Sequence, residues 1–151
     1  ILLAHGDLAE ANAEILTALE QLERRDHVTG KLAALHSQGM ILVEMGDVGG
    51  AERVADEMKA EIDGWFNPRL IRFWYDLEGR IDVSTNDVDR AIEHFERAVS
   101  LMPHQYHHDG DNHAVVYTAL ANAYYLSGDL ARAQEWYENT LSLTYGRLIF
   151  G

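Results

Sequence analysis

Four copies of one short word punctuate the sequence: Gly6-Asp7-Leu8 with Ala11, Gly46-Asp47-Val48 with Ala51, Asn86-Asp87-Val88 with Ala91, and Gly128-Asp129-Leu130 with Ala133. Each glycine or asparagine precedes its alanine by five residues, and the alanines recur at intervals of 40, 40 and 42 residues. A period of this size belongs to stacked supersecondary units, each burying its apolar face only against its neighbours. The word itself has a physical reading. Glycine or asparagine tolerates the left-handed backbone that closes one helix, and aspartate offers a side-chain acceptor to the unpaired N–H groups that open the next.

Between these words the apolar residues keep a helical period, and no alternating run bounded by turns suggests a strand. Leu8, Ala11, Ile15, Ala18, Leu19 and Leu22 share one face over residues 8–23, with Asp7 as N-cap. The next helix is expected from about Thr29 to Met45 with Gly46 as its left-handed cap, followed by one from Val48 to Ile62. Asn67 and Pro68 begin another, because proline at the first turn loses an N–H that has no partner there. It runs to about Val83. Further helices are predicted over 88–102, His113–Ser127 and Leu130–Leu143, and Tyr145–Phe150 reads as the start of one more element. The units are then a partial repeat at 1–27, full repeats at 28–66, 67–111 and 112–144, and a stub at 145–151 within one domain. A chain that opens on Ile1 without a methionine reads as a piece of a longer protein.

Composition removes whole classes of function. Lys and Arg number 12 against 25 Asp and Glu, a formal charge of −13, which disfavours a phosphate backbone or an anionic membrane as partner. A basic or amphipathic peptide suits it better. The chain has no cysteine, so disulfides, thiol catalysis and thiolate metal sites are excluded, and a cytoplasmic location is compatible with that. No apolar run approaches membrane-spanning length.

The pattern of bulky and small residues resembles the tetratricopeptide repeat family. The last unit matches best: Tyr117, Leu120, Ala121 and Tyr124 on its first helix, Gly128-Asp129 at the turn, then Ala133 and Tyr137. The unit before it offers Gly79, Ala91, Phe95, Ala98, Leu101 and Pro103. The unit before that offers Leu35, Gly39, Leu42 and Ala51, but Ala55 and Met58 stand where an aromatic and an alanine are expected, so thinner packing is predicted there. The 40-residue period is similar to longer-helix repeats of bacterial signalling and transcription regulators. The resemblance implies an all-α, right-handed superhelical array of antiparallel helix pairs. In it Gly39, Gly79 and Ala121 let helices approach closely, and Phe95 or Tyr137 fills the gap to the next unit.

The same resemblance implies a function. In this family the first helices of successive pairs line a concave groove that holds protein or peptide segments, and register transfers that role to His36, Met40, Val43, Glu44, Asp76, Arg80, Thr118, Asn122 and Tyr125. A groove that clamps a terminal carboxylate needs paired cations, yet Phe73, Leu77, Val115 and Ala119 occupy those positions. Self-association through apolar faces at the ends of the array is a rival within binding proteins. A different class rests on His104, His107, His108, Asp109, Asp111 and His113, donors that could hold a metal or sense pH. Their spacing matches no zinc or calcium signature, and a solvated interhelical loop is the preferred reading. No nucleophile elbow, phosphate loop or dinucleotide fingerprint is present, and no cofactor is called for. Glu93-His94 reads as a surface pair, and Trp65, Trp74 and Trp136 as packing residues. The expectation is a non-enzymatic interaction scaffold.

Overall fold

The computed structural model describes residues 7–24, 27–103 and 113–149. These form α1 (Leu8–Glu23), α2 (Val28–Glu44), α3 (Val48–Asp63), α4 (Ile71–Ser84), α5 (Val88–Ser100), α6 (His113–Ser127) and α7 (Leu130–Ile149), with one 3₁₀ turn, Pro68–Leu70, leading into α4. Among the described residues there is no strand. Helices pack in chain order, α2 with α3, α4 with α5 and α6 with α7, and α2, α4 and α6 lie side by side. Turns of two or three residues make each pair antiparallel.

The repeated word does what its chemistry dictates. Gly46, Asn86 and Gly128 have φ of 77°, 64° and 86°. At the first of these turns Gly46 N–H donates to Val43 O at 3.0 Å and Asp47 N–H to Leu42 O at 2.9 Å; at the second Asn86 donates to Val83 at 3.1 Å and Asp87 to Asp82 at 2.8 Å. This paired pattern satisfies carbonyls that a helix end leaves open. Asp47 Oδ1 then accepts from Gly50 N–H at 2.9 Å, and Asp129 Oδ1 from Arg132 N–H at 3.1 Å. Asp7 departs from the expectation, since its side chain caps nothing. Its ψ is 1° against 71° in Asp47 and Asp87, which turns the carboxylate away from the first-turn amides. Asn86 pays for its left-handed conformation as a residue with a Cβ. Asn86→Gly is therefore expected to raise stability by about 0.5–1 kcal/mol and Asn86→Val to lower it by at least as much, read as opposite shifts of the thermal unfolding midpoint.

One apolar cluster runs through α1 to α4 and contains Leu32, Leu35, Met58 and Leu77, all at most 1% exposed. A second joins α5, α6 and α7 around Phe95, Leu120 and Tyr124. Close approach depends on two glycines: a Cβ on Gly39 would sit 2.5 Å from Leu77, and one on Gly79 would sit 2.7 Å from the Phe95 ring. The thin spot predicted at Ala55 and Met58 is absent, because both are fully buried. Size has been exchanged between the positions, with Met58 carrying volume that Phe95 supplies one repeat later. The last helix does not stop at Leu143 but continues to Ile149. Gly146 is the first helix-weakening residue in that stretch, and glycine without proline costs only about 1 kcal/mol. On its uncovered side Leu130, Tyr137 and Leu141 are 61%, 36% and 57% exposed.

Candidate functional site

Two adjoining hollows lie along α2, α4 and α6. The first, about 210 Å³, is lined by His36, Met40, Arg72, Phe73, Met102 and Val115 with neighbouring residues; the second, about 230 Å³, by Met40, Val43, Glu44, Arg80, Ala119 and Asn122 with theirs. Met40 is common to both. Of the nine groove residues expected from register, His36, Met40, Asp76, Val43, Glu44, Arg80 and Asn122 line one or other hollow, whereas Thr118 and Tyr125 lie outside both. Thr118 spends its hydroxyl on Ala114 O at 2.7 Å. Tyr125 is 61% exposed. Phe73, Val115 and Ala119, which replace clamp cations, do line the groove, but Leu77 is buried under Gly39.

Asp76 behaves differently from a solvated groove acid. It is 1% exposed. Its Oδ2 accepts from His36 Nε2 at 2.6 Å and from Arg80 Nε at 2.9 Å, while Oδ1 accepts from Arg80 Nη2 at 3.3 Å. Burial pushes the carboxyl up, but Arg80 and the His36 hydrogen bond more than offset it and hold the pKa at about 2. The His36 ring also meets the Phe73 edge at 5.5 Å, and the Arg72 guanidinium stands 4.5 Å over Phe73. Polar groups on the groove wall are thus bonded to one another above an apolar floor. Asn122 is held too, its Oδ1 accepting from the Tyr137 hydroxyl at 2.5 Å.

α4 carries a second buried acid on its other side. Asp82, 3% exposed, accepts from His94 Nδ1 at 2.6 Å and lies 3.4 Å from Arg90. His94 is therefore partly buried; its ring packs 5.8 Å from Trp74 and 5.9 Å from Tyr75. Burial pushes the neighbouring Glu78 up, an effect opposed by His94. The α5–α6–α7 cluster has a polar seam of its own, in which the Tyr124 hydroxyl donates to Glu96 and accepts from Arg132 at 3.1 Å.

Of the histidine loop, His104, His107, His108, Asp109 and Asp111 lie outside the described residues. His113 is 3% exposed and its Nε2–H donates to Pro103 O at 3.0 Å, with its ring against Tyr117. That nitrogen is committed to fastening α6 to the end of the preceding repeat. Among the described residues no group of three or more His, Asp or Glu side chains is placed to hold a metal ion, and no helix is long and apolar enough to cross a membrane.

Known proteins share this arrangement. Residues 78–144 match the tetratricopeptide repeat family model. Tetratricopeptide repeat protein 36 of Danio rerio is 30% identical over 105 residues, which cover 68% of this chain and 51% of that protein, so the chain spans about half the length of this relative. The crystal structure of BtubC (BKLC) from P. vanneervenii superposes with a TM-score of 0.69 over 93% of this chain and 58% of its own, at 20% identity, and so is similar in fold. Repeats of this kind are in general protein–protein interaction modules. Register, turns and sequence agree, and residues 78–144 belong to the tetratricopeptide repeat family, in a chain whose described helices form an all-α array of antiparallel pairs.

Proposed function

We propose that this chain is a non-enzymatic scaffold that holds a peptide or protein segment in the groove along α2, α4 and α6, as the regulatory or adaptor part of a larger protein. The observation that supports it most is the pair of adjoining hollows joined at Met40. Apolar side chains make up much of their lining, and His36, Asp76, Arg80 and Asn122 are already engaged in His36–Asp76–Arg80 and Tyr137–Asn122. Such a surface gains by burying apolar side chains and needs little reordering to do so. Met40, unbranched and polarizable, adapts to varied occupants.

The reading is tested by selecting a displayed peptide library on the protein and measuring one enriched peptide by fluorescence anisotropy. Met40→Glu places a charge where both hollows meet, and at least about a tenfold loss of affinity is expected with helicity unchanged. An enriched peptide that binds the variant as tightly as the parent places recognition elsewhere, and the groove assignment then fails.

A further inference from the structure

The strong negative charge does not belong to the groove. α1 carries four acidic residues and no basic one, and α3 carries five against two, whereas α2 has one of each and α6 none. α1 and α3 both pack on α2 and leave a gap between them. That gap is an open cleft of about 500 Å³, more than twice either groove hollow. Its floor is apolar: Leu19, Leu42 and Val54 are each nearly buried, and Leu16 stands 47% exposed. Its rim includes Glu20, Glu23, Asp47 and Glu57, with Arg53 as the cation among the described lining residues and Lys31 at one end.

The fold shows at one end of this cleft what the rim accepts. Lys31 of α2 places its ammonium 3.4 Å from Glu23, 3.3 Å from Glu57 and 2.6 Å from Glu61, bridging α1 and α3. Glu20, one turn from Glu23 and beside exposed Leu16, has no ion pair among the described residues. A large exposed leucine on a cleft floor, flanked by carboxylates of one sign, is complementary to a surface with apolar groups and ammonium or guanidinium groups on the same face.

We propose that the cleft between α1 and α3 is a second docking surface, separate from the groove, whose occupant is a basic amphipathic helix of a partner protein. Its apolar side chains lie on Leu16 and Leu19 and its Lys or Arg side chains reach Glu20 and the adjoining rim. The preference for basic partners that the net charge suggests is thereby assigned to the outer cleft.

The probe is a peptide of leucine and lysine at helical spacing, with a leucine–glutamate peptide of the same pattern as its counterpart, each titrated by fluorescence anisotropy. Leu16→Gln combined with Glu20→Lys changes two exposed side chains and leaves the core intact, which far-ultraviolet circular dichroism checks. The lysine peptide is expected to bind, to lose about tenfold in affinity in this double variant, and to be unmoved by Met40→Glu. Its binding should weaken further between about 50 and about 300 mM salt, and the glutamate peptide should not bind. Affinity unaffected by the double variant means diffuse attraction to an acidic chain and overturns the proposal. A loss caused by Met40→Glu instead moves the basic ligand to the groove and overturns it equally, while leaving the groove reading intact.

Discussion

Phe95→Ala is expected to destabilise the protein by about 3–5 kcal/mol, followed as a drop in the denaturant midpoint by circular dichroism. The ring is 1% exposed and lies against the Cα of Gly79, with α6 residues Leu120 and Tyr124 closing the other side. Removing it opens a cavity at the junction of two repeats, where backbones already in contact through a glycine have little room to collapse. A matched comparison is built into the chain. Tyr137 holds the same repeat position 42 residues later but is 36% exposed, because no described helix covers that side of α7. Tyr137→Ala should cost well under half as much, although it also gives up the hydrogen bond to Asn122. Filling the glycine is the converse test. Gly79→Leu should cost at least about 1–3 kcal/mol by overpacking, and much of that should vanish when Phe95 is already alanine, since the two changes share one space. Equal costs for Phe95→Ala and Tyr137→Ala would show that burial does not set the hierarchy between repeats.

The contrast between these aromatics also marks how far the sequence was legible. Helix number and turn positions followed from left-handed Gly46, Asn86 and Gly128, because few residues tolerate that backbone and each stands before an aspartate. Close approach at Gly39 and Gly79 was legible from residue size. The fate of ionizable side chains was not. Asp76 and Arg80, four residues apart on a helix, read as two groove residues, and only tertiary packing buries the acid. A signal for its third partner was nevertheless present, since His36 and Asp76 are 40 residues apart, one period, and equal register in adjacent repeats means contact. Asp82 and His94 had a weaker signal of the same kind. Folding the chain back at Asn86-Asp87 sets 82 opposite 94, which turns an apparent surface histidine into the partner of a buried carboxylate. Where the charge sits was not legible from the sequence's total. A net charge sums over all faces, and here α1 and α3, at −4 and −3, carry −7 of the −13, away from the surface along α2, α4 and α6.

Arg80→Met tests whether the buried acid beneath the groove depends on its cation. Burial alone pushes the Asp76 carboxyl up, and Arg80 contributes the largest opposing effect. Without the guanidinium the carboxylate keeps only His36 in a site that is 1% exposed. Removing one partner from a buried pair typically costs 3–5 kcal/mol, and with the imidazole still in place about 3 kcal/mol is expected at neutral pH. The pH dependence gives a second readout. Asp76 has a folded pKa of about 2, against about 3.9 for an unfolded aspartate. Its contribution, roughly 2–3 kcal/mol, is therefore fully present above about pH 5 and is lost as pH falls from about 4 toward 2. In Arg80→Met the folded pKa rises toward or above the unfolded value. That variant should be less stable at neutral pH, yet it should lose less additional stability over this acid window than the parent. Urea unfolding at about pH 7, 4 and 3 separates the two effects. If the variant is destabilised equally at all three, Arg80 contributes packing by its stem and the Asp76 charge takes no part in joining α2 to α4. A gap that narrows as the pH falls identifies the guanidinium–carboxylate–imidazole set as the electrostatic tie between adjacent repeats on the groove wall.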